Sequence, residues 1–63
     1  MTQSPMASDG PVATIEGIKG TAEIYEKVVE TIIEYTVKFG EQTKVFNNLG
    51  EAYIEAGELA GAS

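Results

Sequence analysis

Residues 15–39, IEGIKGTAEIYEKVVETIIEYTVKF, decide how this chain is read. The apolar positions Ile15, Ile18, Ala22, Tyr25, Val29, Ile32 and Phe39, with Thr36 among them, are spaced in alternating steps of three and four. Those are the a and d positions of a heptad, and on an α-helix they line a single stripe. A helix with such a stripe buries it against a partner. Gly17 and Gly20 fall inside the stretch, and each costs about 1 kcal/mol against alanine in a helix. Ile15 and Ile18 nevertheless keep the phase of the stripe from Ala22 to Phe39, which favours one long helix over a helix starting at Thr21, a good N-cap residue. Val28, Ile33, Tyr35 and Val37 lie off the stripe and widen it, which suggests several neighbours rather than a two-stranded coiled coil. Glu23 with Lys27, and Glu34 with Lys38, stand at i, i+4 in the order that supports a helix.

One segment competes with this reading. Residues 33–39 alternate with period two and are rich in β-branched side chains, the signature of a strand. The heptad stripe is much the longer of the two patterns, so the helical reading prevails. Gly40 suits the residue just past a helix end and is the natural hinge. Beyond it lies a second helical pattern: Val45, Phe46, Leu49, Ala52, Tyr53, Ala56, Leu59 and Ala60, shifted by one residue from the first. Thr43 could cap that helix, or Asn48 could, with Glu51 three residues on as in a capping box. The expectation is an all-α chain. Two helices, at about 12–39 and 42–60, form a hairpin or one kinked helix.

The segment from Met1 to Pro11 carries Ser, Asp, Gly and both prolines without periodicity, and reads as a flexible or extended arm before a single domain over 12–63. Pro11 suits a first helical turn. With 63 residues the chain is small; a domain of this size buries only about 60% of its unfolded surface and is marginal alone. Disulfides, a metal or association usually make up the difference. Cys and His are both absent, which leaves self-association or docking on a partner.

Ten acidic residues stand against four lysines, with no arginine, for a net charge of −6. That balance argues against nucleic-acid binding, which uses a basic face, and against an anionic membrane surface. The start lacks the basic and apolar regions of a secretory signal. No apolar run approaches the ~18 residues of a membrane span. The expected location is the cytoplasm, or outside it by a route without a cleaved signal.

Without His or Cys, no nucleophile has its usual base, and the chain is not expected to be an enzyme. Glu51, Glu55 and Glu58 share one helical face, and Glu23, Glu26, Glu30 and Glu34 share another. Neither has the surroundings of a calcium loop or the Glu-x-x-His of a di-iron bundle, so both read as solvated faces. No catalytic, cofactor-binding or metal-binding residue is singled out, and no cofactor is expected. Gly17, Gly20, Ala52, Ala56 and Ala60 allow close packing of a helix. Tyr25, Tyr35 and Tyr53 suit either an interface or a core.

The functional expectation is a self-associating structural protein, the subunit of a helical homo-oligomer or filament. Its contacts would run through the eight stripe residues together with Phe46, Leu49 and Tyr53. Its partner is a second copy of itself, with a basic protein surface as the next candidate. The alternative is a small acidic helical regulator that covers such a basic surface; an accessory subunit of a larger complex is the third reading.

Overall fold

The computed structural model describes residues 10–62. Its elements are β1 (Ala13–Gly17), β2 (Gly20–Val29), β3 (Ile32–Phe39), β4 (Gln42–Phe46) and α1 (Leu49–Ala60). The strands pair with their chain neighbours in one antiparallel sheet of order β1-β2-β3-β4, and α1 lies across one face. The all-α expectation is therefore wrong. Residues 12–39 hold three strands and no helix, and the helix expected over 42–60 shrinks to Leu49–Ala60 behind a strand. The coiled-coil and helical-filament readings fall with it. Of the expected N-terminal arm, residues 1–9 lie outside the described residues, and Pro11 precedes a strand instead of opening a helix.

The physical reason is that strand chemistry hides inside the heptad. Val28, Val29, Ile32, Ile33, Thr36 and Val37 are β-branched and lose little on a pleated surface. In β2 the helix-facing residues are even-numbered, with Ala22 and Ile24 fully buried. A two-residue turn at Glu30 and Thr31 joins Val29 to its partner Ile32, and it flips the parity. In β3 the helix-facing residues are therefore odd: Ile33, Tyr35, Val37 and Phe39. A heptad run through β1, β2 and β3 mixes residues from both faces of the sheet. Ile15, Ala22 and Phe39 lie beneath α1, whereas Tyr25, Val29, Ile32 and Thr36 lie on the opposite face. The charges regroup as well. Glu23 faces Lys38, and Lys27 faces Glu34, across the β2–β3 ladder. The same four residues that suggested two helical pairs form two cross-strand pairs.

The core is Ala22, Ile24, Val37, Ala52, Ala56 and Ala60, all fully buried, with Ala13, Ile15, Tyr35, Phe39, Phe46 and Leu59 packed around it. Three alanines at i, i+4, i+8 give α1 a flat underside, so its backbone comes close to the sheet. The close packing expected of the small residues is thus made by a helix on a sheet within one chain. Asn48 is extended (φ −134°) and its side-chain oxygen accepts from the Glu51 N–H at 3.1 Å, so the later of the two candidate caps is the one used. At the other end Gly61 is left-handed (φ 72°). The Gly61 N–H donates to Glu58 O, and the Ala62 N–H to Gly57 O at 2.9 Å, a Schellman ending. The β1–β2 turn then closes the helix. The Lys19 N–H donates to Ala60 O at 2.8 Å, satisfying a carbonyl that the helix itself leaves unpaired.

Candidate docking surface

Strand lengths build the surface. β1 pairs with β2 only from Gly20 to Ile24, and β4 pairs with β3 only from Tyr35 to Phe39. Beyond those limits Tyr25 and Glu26 still pair with Thr36 and Tyr35 of β3, and Lys27 to Val29 pair with Ile32 to Glu34, with no outer strand on either side of that last stretch. The two middle strands thus extend past both outer strands as a two-stranded ribbon. The direction of α1 places its start, at Asn48 and Leu49, toward the ribbon base. Its end packs at the far β1–β2 turn, so the ribbon lies beyond the helix.

The ribbon carries four aliphatic side chains in water. Val28 is 64% exposed, Ile33 42%, Val29 39% and Ile32 53%. Val28 and Ile33 face each other on the helix side, and Val29 and Ile32 on the other. Isolated exposed apolar residues are ordinary; two exposed cross-strand pairs together at one end of the sheet, one on each face, are clustered in the way that marks a contact surface. Two-stranded ribbons are also marginally stable in water by themselves. The acids Glu26, Glu30 and Glu34 surround the group. Lys27 lies within it, opposite Glu34.

Of the expected contact residues, Val29 and Ile32 belong to this surface. Ile15, Ala22, Phe39 and Phe46 contribute to the molecule's own core instead. Ile18 caps the β1–β2 turn at 93% exposure, and Leu49 and Tyr53 belong to α1 and are partly exposed. Thr36 lies at mid-sheet on the face away from the helix. Val28 and Ile33 were missed. Their signal is the pair of β-branched doublets flanking Glu30 and Thr31, a hairpin pattern that the heptad obscured.

The face away from α1 has its own polar centre at Tyr25. The Tyr25 hydroxyl donates to Glu23 Oε1 at 2.8 Å, and Lys38 Nζ lies 5.1 Å from the ring centroid. Elsewhere Lys44 Nζ meets Glu55 Oε2 at 2.7 Å. Glu55 on the acidic helix face is thus paired with a lysine of the chain's own strand β4. The Tyr35 hydroxyl donates to Glu26 Oε2 at 3.5 Å, at the ribbon base.

Tyr25 is expected to titrate above the ordinary tyrosine range. The hydrogen bond to Glu23 holds its proton, and burial and the Glu23 charge act in the same direction. A pKa raised by folding stabilises the protein fully below the unfolded tyrosine value. That contribution is lost as the pH rises through the folded value. Glu23→Gln should move the Tyr25 midpoint down toward the ordinary value, read by carbon-13 NMR of the ring Cζ. An unmoved midpoint would show that the hydrogen bond is not what holds the proton.

Among the described residues there is no pocket and no group of three potential metal ligands. No helix among them is long and apolar enough to cross a membrane. No family model matches the chain, and neither a curated protein nor a solved structure matches it.

Proposed function

We propose that this chain is a non-catalytic binding module that docks another protein chain through the β2–β3 ribbon. The observation that carries the reading is the exposed quartet Val28, Val29, Ile32 and Ile33, on a ribbon that leaves behind both outer strands and the helix. Burying four such side chains against a partner gives a favourable term of about 25 cal/mol per Å² of apolar surface removed from water. The absence of His and Cys from the sequence supports the non-catalytic part, since the usual general bases and thiol nucleophiles are missing. The helical regulator and the helical filament subunit are set aside, because each requires a long helix where the chain has strands.

The test is photo-crosslinking in the cells that make the protein. Benzoylphenylalanine replaces Ile33 in one variant and Glu41, in the β3–β4 turn, in a control. Discrete adducts from position 33 and none from position 41 are expected. The double substitution Val28→Thr with Ile32→Thr keeps β-branched side chains and should hold the unfolding free energy within about 1 kcal/mol. It should also abolish the adducts from position 33. Adducts that survive it, or that form equally at position 41, would end this reading.

A further inference from the structure

The docking partner can be specified further, given the ribbon reading. β2 has an open edge as well as exposed side chains. Its pairing with β1 stops at Ile24, whose carbonyl accepts from the Val12 N–H at 2.7 Å. Backbone groups alternate in direction along a strand. The even-numbered residues of β2 therefore turn their N–H and C=O toward the β1 side, and beyond Ile24 the next two are Glu26 and Val28. Among the described residues nothing pairs with them. This edge runs from Tyr25 to Val29, longer than the Ile32–Glu34 edge on the other side of the ribbon. An open edge of this length beside exposed aliphatics is a template for strand addition.

A second copy of the chain fits it badly. An antiparallel two-fold pairing must set outward-turned residues against outward-turned residues. Centred on Glu26 it opposes two Glu26 residues, centred on Lys27 two Lys27 residues, and centred on Val28 it opposes Glu26 to Glu30. The first two registers set like charges directly across a ladder, and the third brings Glu26 against the turn residue Glu30; each is unfavourable. The tip of the ribbon points the same way. Glu30 is the only non-glycine residue with positive φ among those described, at 57°, whereas Gly20, Gly40 and Gly61 occupy the other such positions. Holding a side chain there costs roughly 1–2 kcal/mol, so the tip keeps a carboxylate where glycine would be cheaper.

We infer that the ribbon binds an extended segment of another, basic protein, which adds as a strand to the β2 edge at residues 25–29. Its backbone pairs with Glu26 and Val28. Cationic side chains lie beside Glu26 and Glu30, and apolar ones beside Val28 and Val29. The segment therefore carries lysine or arginine four positions apart with aliphatic residues between them.

The probe is the peptide acetyl-Lys-Val-Val-Thr-Lys-Val-amide, added to the full-length chain. Binding is monitored by amide proton–nitrogen NMR and calorimetry. The expected result has three parts. Shifts concentrate at residues 25–30. The glutamate version of the peptide binds at least about tenfold more weakly, a loss of about 1.4 kcal/mol. N-methylation of the peptide amides that face the β2 edge weakens binding by at least the same factor. The inference is overturned if the glutamate peptide binds equally, if N-methylation has no effect, or if the shifts map elsewhere. It is also overturned if no binding occurs, if binding requires removal of residues 1–9, or if light scattering shows a dimer that competes with the peptide. Failure of the peptide while the Ile33 adducts persist removes strand addition alone; loss of the adducts removes the ribbon reading as well.

Discussion

Gly17→Ala is expected to detach α1 from the sheet. A Cβ on Gly17 would stand 2.2 Å from the Ala60 carbonyl oxygen and 2.7 Å from both Ala60 C and Ala62 N. All three are backbone atoms, so no rotamer change can make room. The helix end must lift, and lifting it breaks the Lys19 N–H bond to Ala60 O and exposes the alanine underside of α1. Overpacking of this kind typically costs about 1–3 kcal/mol; with the lost bond and exposed alanines added, about 3 kcal/mol or more is expected. For a domain of this size the whole stability is only about 3–9 kcal/mol. Urea unfolding measures the loss, and amide exchange shows whether α1 opens before the sheet. Gly57→Ala is the control, because a Cβ there meets nothing within 4 Å and alanine favours the helix by about 1 kcal/mol. A Gly17→Ala chain as stable as the parent would refute the packing of α1 on the β1–β2 turn.

Ile24→Ala should be comparably severe. Ile24 and Val37 are the two largest fully buried side chains, and they face each other across β2 and β3 beneath the helix. Removing the isoleucine leaves a cavity at the centre of the core, for which about 2–5 kcal/mol is the usual range; about 3 kcal/mol is expected here. Ile32→Ala removes a comparable side chain from the ribbon, where it is half in water, and should cost less than about 1 kcal/mol. The contrast separates the two ways of reading residues 15–39. A heptad helix buries Ile32 and leaves Ile24 off its stripe, so it demands the opposite ranking. Equal losses at both positions would contradict the sheet.

The misreading of residues 15–39 came from weighing the length of a pattern above its chemistry. The strand signature in residues 33–39 was visible and was outweighed by a stripe reaching back to Ile15. That stripe is a coincidence of three strands joined by two short turns. Within a strand a step of four keeps the face and a step of three changes it, but across the Glu30–Thr31 turn a step of three keeps it. Tyr25, Val29, Ile32 and Thr36 therefore share the face away from the helix, while Ile15, Ala22 and Phe39 lie beneath it. Gly17 and Gly20 were the discordant notes. Two glycines three apart are costly in a helix, but here they flank a two-residue turn, one of them against the helix end and the other with φ 142°. The second helix was better legible. Asn48, Glu51 and the spacing of Ala52, Ala56 and Ala60 carry its start and its buried face locally. Only its supposed first turns, from residue 42 to 48, belonged to β4 and the connection.

The docking surface was half legible for the same reason. Val29 and Ile32 were identified as contact residues from the heptad, but their inner-face neighbours Val28 and Ile33 were taken for its widening. Nothing local distinguishes these four from Ile24 and Val37. They are chemically alike, and what separates them is whether β1, β4 and α1 reach far enough to cover them.

The sequence by itself determined the acidic charge, the lack of thiol and imidazole chemistry, and the capped C-terminal helix with its alanine face. These come from residue identity or from contacts within one turn. The tertiary structure decided which period in residues 15–39 is used, why Gly17 must be glycine, and which aliphatic residues remain in water. Those outcomes depend on register and on strand length, which are set by pairing between residues distant in the chain.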